Sequence, residues 1–250
     1  MLNILLCGCG GRMGAAFTAA ATAAGDRVIA GIDTNPAAES TYPVYTTPFE
    51  FEGKADVIVD FSHHSALAGL LAYAEQTATP IIVCTTGHTE EELAKMKDAA
   101  KKTPVFFSRN MSLGINLLLS LCRKAAATLG ADFDVEIIEK HHNQKVDAPS
   151  GTALMLADAV KSVCDEKFYT YGREGIVGKR DKNEIGIHAV RGGGIVGEHD
   201  VIFASGFETV TLSHLATDRS VFADGAVKAV LYIKDKKSGL FNMNDVINGK

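Results

Sequence analysis

Cysteine is scarce in this chain of 250 residues, and its five copies are scattered. Of Cys7, Cys9, Cys84, Cys122 and Cys164 only the first two stand close together, and no second pair completes a zinc-type ligand set. We therefore expect no metal and a reduced, cytoplasmic protein, with Cys7 and Cys9 as small residues packing a tight turn. Long hydrophobic runs are also missing. No stretch approaches the roughly 20 apolar residues of a membrane span, and residues 2–7 are too few for the apolar core of a signal peptide. Positive charge is in deficit, with a formal net charge of −5. That balance argues against nucleic-acid or anionic-membrane partners, while leaving room for a local basic pocket that takes an anionic small molecule. Internal repeats and low-complexity segments are absent.

What is present reads as an ordinary soluble globular protein, 46% apolar and 22% charged, long enough for one large or two modest cores. Up to about residue 110, short apolar runs alternate with amphipathic segments. Strands are expected at Asn3–Cys7, Arg27–Ile32, 56–60, 80–84 and Pro104–Phe107. An Ala-rich helix over 12–24, stopped by Gly25, and a helix opened by Thr89 with Glu92 three residues on (a capping box) lie among them. This rhythm predicts a parallel, doubly wound α/β sheet. The pattern then changes. A long apolar helix, Leu113–Leu129, precedes a strand at 134–139, a His-rich loop and a helix over 152–163. Runs rich in β-branched residues at 184–190, 200–204 and 208–214 predict a mixed or antiparallel sheet, hence a second α+β lobe, before a last helix over 223–233. The expected division is residues 1–112 and 223–250 for the first domain and 113–222 for the second.

Gly8-Cys9-Gly10-Gly11-Arg12-Met13-Gly14 lies between the first strand and the first helix, where a dinucleotide fingerprint belongs. Glycines allow the tight turn and the approach of backbone amides to a pyrophosphate, and a helix N-terminus offers that anion unpaired N–H groups. The strict G-x-G-x-x-G frame puts Met13 where the third glycine would fall, with Gly14 one residue late. Asp33 ends the second strand about 20 residues on, placed to accept hydrogen bonds from ribose hydroxyls and to repel a 2′-phosphate. Thr34 follows where an arginine would invite NADP, so NADH is favoured, with NADPH open because Arg12 can reach a phosphate.

The densest polar cluster is Glu139-Lys140-His141-His142-Asn143-Gln144-Lys145-Val146-Asp147-Ala148-Pro149-Ser150-Gly151-Thr152. Histidine titrates near neutrality and suits proton transfer, lysine offers a point charge for a carboxylate, and a helix opening at Ser150 to Thr152 makes an anion site. The plain alternative is a solvated loop with a Ser or Thr cap. A metal reading is disfavoured because adjacent histidines on extended backbone point to opposite sides.

Together these segments resemble the dihydrodipicolinate reductase family. The resemblance extends through Thr85-Thr86-Gly87, Asn110-Met111-Ser112-Leu113-Gly114-Ile115-Asn116, Glu136 through Leu154, Arg191-Gly192-Gly193 and Val196-Gly197-Glu198-His199, nearly the whole chain in order. It implies a Rossmann-type dinucleotide-binding domain plus a second α+β domain for substrate binding and oligomerisation, usually in a homotetramer. It also implies NADH- or NADPH-dependent reduction of a cyclic dicarboxylate, the product of aspartate semialdehyde and pyruvate, to tetrahydrodipicolinate. Carried over by position, Gly8, Cys9, Gly10, Gly11, Arg12 and Met13 hold the pyrophosphate and Asp33 the adenosine ribose. Cys84, Thr85 and Thr86, with Ser108, Arg109, Asn110 and Met111, flank the nicotinamide. His141 is the proton donor, Lys145 a second proton-donating or carboxylate-binding group, and His142, Gly151 and Thr152 bind substrate. Cys84 stands where the family usually has glycine, so altered cofactor contacts are expected there. Competing readings are another Rossmann dehydrogenase, such as an aspartate dehydrogenase acting on a dicarboxylic amino acid, and a module that senses NAD without chemistry.

Overall fold

The computed structural model describes residues 1–34 and 40–249. In chain order it forms β1 (Asn3–Cys7), α1 (Arg12–Ala23), β2 (Arg27–Ile32), β3 (Val44–Tyr45), β4 (Val57–Asp60), α2 (Leu67–Thr77), β5 (Ile81–Val83), α3 (Glu90–Ala99) and β6 (Pro104–Phe107). Then come α4 (Leu113–Leu129), β7 (Asp134–His141), α5 (Gly151–Lys161), β8 (Phe168–Tyr171), β9 (Glu184–Arg191), β10 (Gly197–Ala204), β11 (Thr209–Ala216), α6 (Ser220–Ile233), β12 (Gly239–Phe241) and α7 (Met243–Asn248). Two compact units result, Met1–Leu113 with Arg219–Lys250, and Gly114–Asp218. The second crossing falls at 218/219 rather than 222/223, because α6 already begins at Ser220.

The first unit is a seven-stranded parallel sheet in the order β3-β2-β1-β4-β5-β6-β12. Alternation along β1 sends Ile4 and Leu6 into a core with Phe17 of α1 and Val230 of α6, and Leu5 and Cys7 into another with Leu67 of α2 and Met96 of α3. Both sheet faces are covered, which is why the strands read as unbroken apolar runs. The capping box of α3 forms as the sequence predicts, with Thr89 Oγ1 accepting from the Glu92 amide and Glu92 Oε2 accepting from the Thr89 amide. Gly25 takes φ +84° just past α1. Strands β3 and β12 were not foreseen; two and three residues long, they carry too little periodicity to be read.

The second unit is a five-stranded mixed sheet, order β11-β10-β7-β9-β8, with β10 antiparallel to both β7 and β11 and the other pairs parallel. Val135 and Ile137 of β7, Ile185 and Ile187 of β9, and Val201 and Phe203 of β10 project from one face into a core with α4 and α5. Strand β8 was also missed. Strand β7 continues two residues beyond the expected end at 139, so His141 is part of the sheet rather than of the loop after it. Ladder bonds to β9 hold it there, His141 standing opposite Arg191.

His199 of β10 lies on the covered face and is 4% exposed. Burial, reinforced by the charge of His141, pushes its pKa down to about 3 from the ordinary 6.5. Between those two pH values the unfolded chain binds a proton that the folded chain refuses, so stability falls as pH falls from 6.5 towards 3. We predict that the melting temperature of His199→Gln declines less steeply than wild type across that window, as measured by differential scanning calorimetry at a series of pH values.

Candidate active site

In the first unit, the sheet order reverses between β1 and β4, and the crevice outside the carboxyl ends of strands at such a point is where doubly wound sheets take ligands. A cleft of about 690 Å³ opens there, lined by Gly8, Gly10, Gly11, Asp33, Ser62 and His63 among others. Its size lies within the range of small-molecule sites. Gly8 follows β1 at φ +74°, and a Cβ on it would stand 2.5 Å from the Phe61 carbonyl oxygen, so no other residue fits the turn. Gly14 is the late glycine of the motif. A Cβ there would meet the carbonyl oxygens of Gly8 and Cys9 at 2.5 and 2.6 Å, so Gly14 supplies the close helix-to-strand packing that the strict frame assigns one residue earlier. Met13 packs against the core instead.

Gly11 caps α1 with extended backbone, and no acidic residue stands in the helix's first turn to compete for an anion. Asp33 Oδ2 accepts the Gly10 amide at 2.9 Å, which fixes the carboxylate beside the loop. The residues here therefore fit a dinucleotide: bare glycine backbone, a positive helix end, and an acid at the tip of β2. Arg12 is exposed as the first residue of α1. The Cys9 side chain turns away from the cleft and lies against Gly31 and Tyr42.

Beyond β5, Cys84 packs on the core, Thr85 donates its hydroxyl to Asp60, and Thr86 is exposed. Beyond β6, Ser108 donates to the Asn110 carbonyl at 2.9 Å, Asn110 Oδ1 accepts the Ser112 amide, Arg109 is exposed and Met111 is buried in the core. Sequence reasoning passed over Asp60. This carboxyl is fully buried at the end of β4, where desolvation raises its pKa against the hydrogen bonds from Ser62 and Thr85 that stabilise its charge. It ties the loop after β4 to the loop after β5, and nothing in an apolar strand followed by a single acid announces that.

In the second unit the polar cluster converges on Glu139, which is 0% exposed. Its Oε2 accepts His141 Nδ1 at 2.6 Å and Arg191 Nη1 at 2.7 Å, and its Oε1 accepts Arg191 Nη2 at 2.7 Å and the Ser150 amide at 2.9 Å. Burial would raise the carboxyl pKa, but the bonds from Arg191, His141 and Ser150 outweigh it and hold the group below the ordinary range. For His141 burial is the largest influence and lowers its pKa, with Glu139 working the other way and Lys145 and Arg191 adding to the decrease. The His141 ring also meets His199 edge-on at 5.2 Å between centroids. Ser150 caps α5 through the Ala153 amide and lies 3.1 Å from His199 Nε2.

Residues after His141 form a tight turn. The Lys145 amide donates to the His142 carbonyl at 3.2 Å, Asn143 to Gly193, and the Ala148–Pro149 bond is cis before α5 begins at Gly151. Lys145 Nζ stands 2.8 Å from Asp147 Oδ1, whose side chain is 52% exposed. His142 and Thr152 are half-buried and Gly151 is exposed at the helix start. The structure thus gathers His141, Lys145, Gly151 and Thr152 in and around one loop. It makes Glu139, the first residue of the polar cluster, the centre that holds them, and brings in Arg191 and His199 from remote positions in the chain. Among the described residues no group of three or more His, Cys, Asp or Glu side chains is placed to hold a metal ion, and no helix is long and apolar enough to cross a membrane.

Comparison with known proteins agrees with this layout. The family model for the N-terminus of dihydrodipicolinate reductase matches residues 2–111, and that for its C-terminus matches 114–247. A 4-hydroxy-tetrahydrodipicolinate reductase from Clostridium botulinum is 51% identical over 99% of this chain and 98% of its own length, and one from Caldanaerobacter subterraneus is 48% identical with the same coverage. The solved structure of a dipicolinate-bound dihydrodipicolinate reductase from Paenisporosarcina superimposes with a TM-score of 0.81 at 25% identity, covering 98% of this chain and 99% of that one. An aspartate dehydrogenase from Thermotoga maritima reaches only 0.51 at 12% identity, covering 94% and 98%, which is a likeness of fold. The chain belongs to the dihydrodipicolinate reductase family.

Proposed function

We propose that this protein reduces 4-hydroxy-tetrahydrodipicolinate to tetrahydrodipicolinate in lysine and diaminopimelate biosynthesis, using a nicotinamide dinucleotide. The observation that carries the reading is the His141–Lys145 turn, a firmly held imidazole and an ion-paired lysine on the loop that leads into a helix. When bound, the cofactor supplies a hydride. Gly8, Gly10, Gly11 and the α1 N-terminus hold its pyrophosphate, with Cys9, Arg12 and Met13 completing the loop, and Asp33 takes the adenosine ribose. Residues 84–86 and 108–111 border the nicotinamide.

Hydride addition at C4 of the cyclic conjugated imine leaves negative charge at the far end of that system, and an acid must meet it. His141 as imidazolium gives up its proton there, becomes neutral imidazole, and is recharged from solvent. Lys145 binds a substrate carboxylate or acts as the second donor. Its present partner, Asp147, is half exposed, so that carboxylate can turn to water when a substrate carboxylate takes its place. His142 and the amides of Gly151 and Thr152 at the positive end of α5 receive the remaining carboxylate oxygens.

Asp33 supports NADH over NADPH, because its carboxylate is pinned beside the loop and repels a 2′-phosphate. The open face of the second sheet supports a homotetramer. One row across it places Val190, Lys140, Glu198 and Leu215 side by side, with Val190 and Leu215 each more than 40% exposed around the Lys140–Glu198 ion pair. Such a row of apolar groups around a neutralised pair suits burial against another copy.

His141→Ala and Lys145→Ala are predicted to lower turnover by roughly 10²- to 10⁴-fold, the range for loss of a positioned acid, while NADH binding measured by fluorescence titration is unchanged. Near wild-type turnover in either variant removes that residue from the chemistry. In Asp33→Ala the ratio of kcat/KM for NADH over NADPH should fall by about tenfold, since a ribose hydrogen bond and a like-charge repulsion disappear together. Leu215→Glu should reduce the mass seen by sedimentation equilibrium to that of a smaller assembly.

A further inference from the structure

Glu139 is fully buried and has no place in the chemistry just described, yet its carboxylate takes four hydrogen bonds, two on each oxygen. Three of its four contacts come from obligate donors, two guanidinium nitrogens and one backbone amide, and the fourth is the His141 ring nitrogen. A guanidinium and an amide have no lone pair to offer. Each Glu139 oxygen therefore faces at least one obligate donor, and the two-point ion pair with Arg191 holds the group as a carboxylate, an acceptor only. The ring nitrogen 2.6 Å away must then carry hydrogen whether the imidazole is neutral or charged.

Arg191 makes the arrangement rigid. Beyond its two bonds to Glu139, Nη1 donates to the Val190 carbonyl and Nη2 to the Asp147 carbonyl, both at 2.8 Å. The Ser150 amide fixes the other side of the carboxylate from the cap of α5. On the opposite edge of the ring, Nε2 borders Gly197, where a Cβ would come within 3.2 Å of it. Space is kept next to Nε2, whereas Nδ1 is closed off.

Resting on the reading of His141 as the acid, we propose that Glu139 is a positioning residue. Its carboxylate, clamped by Arg191, holds the His141 ring with hydrogen on Nδ1, so that Nε2 alone gives up and regains the reaction's proton. The clamp has a second effect. Glu139 favours the imidazolium and Arg191 disfavours it, and Lys145 sides with Arg191. The two members of the pair thus move the ring's protonation in opposite directions. His199, the other ionisable group against this ring, stays neutral.

The test uses the whole protein labelled with ¹⁵N in histidine. At a pH where His141 is neutral, its ring shifts should show hydrogen on Nδ1 and none on Nε2 in wild type. Hydrogen on Nε2 overturns the proposal, without recourse to any variant. In Glu139→Gln the ring should become a mixture of tautomers, and kcat should fall by at least about 10²-fold while KM changes only a few-fold. The limb on which kcat declines with rising pH should move to lower pH in Glu139→Gln and to higher pH in Arg191→Gln. Parallel shifts, or none, would mean a merely structural role. The two readings fail separately. Wild-type turnover in His141→Ala would remove the acid and leave the tautomer result standing. An inactive His141→Ala beside a fully active Glu139→Gln would remove the positioning role alone.

Discussion

A carboxylate with no exposure to solvent organises the second unit of this protein. Taking a single charge out of water costs several kcal/mol even after relaxation, and only excellent geometry with every lone pair used repays it. Glu139 meets that condition through four bonds from Arg191, His141 and Ser150. Each bond also has a structural consequence. Arg191 joins the end of β9 to the end of β7, and Ser150 joins β7 to the cap of α5. His141 is left with one ring edge anchored and the other beside Gly197. The loop that carries Lys145 and His142 is then held at both ends by the same carboxylate. Removing one partner would strand the remaining charge in the interior, a loss on the order of 3–5 kcal/mol.

The first unit works on a different constraint, the shortage of space where β1 turns into α1. Backbone approaches backbone so closely that Gly8 and Gly14 admit no side chain. Gly10 and Gly11 line the cleft, the Gly10 amide donating to Asp33 and the Gly11 amide to the Gly8 carbonyl. The irregular spacing of the motif loses its importance once the geometry is known. The fold needs a glycine wherever the helix comes nearest the preceding turn, and here that place is one residue later than the usual frame.

Much of this was legible in the residues. Buried parallel strands betray themselves as apolar runs, the α3 capping box as Thr89 with Glu92, and the cleft end of the first sheet as glycines followed by Asp33. The polar segment from Glu139 to Thr152 is the loop whose two ends the Glu139 carboxylate holds. Other features were not legible, for physical reasons. Strands β3 and β12 are too short for periodicity, and β7 runs on into His141 because of ladder bonds to β9, a partner remote in sequence. Arg191 stands in a glycine-rich stretch, and only the sheet register reveals that it faces His141. Asp60 and Ser62 shape the cleft through a pairing with Thr85 that joins two strands. Local pattern signals local structure; these sites are assembled by long-range pairing.

The central claim is that the chain is a nicotinamide-dependent reductase of a cyclic dicarboxylate. The most direct measurement follows the absorbance of NADH, and separately of NADPH, with the purified protein and substrate generated enzymatically from aspartate semialdehyde and pyruvate. The account predicts oxidation that depends on that substrate and is faster with NADH. Oxidation of neither cofactor in the presence of substrate would contradict it.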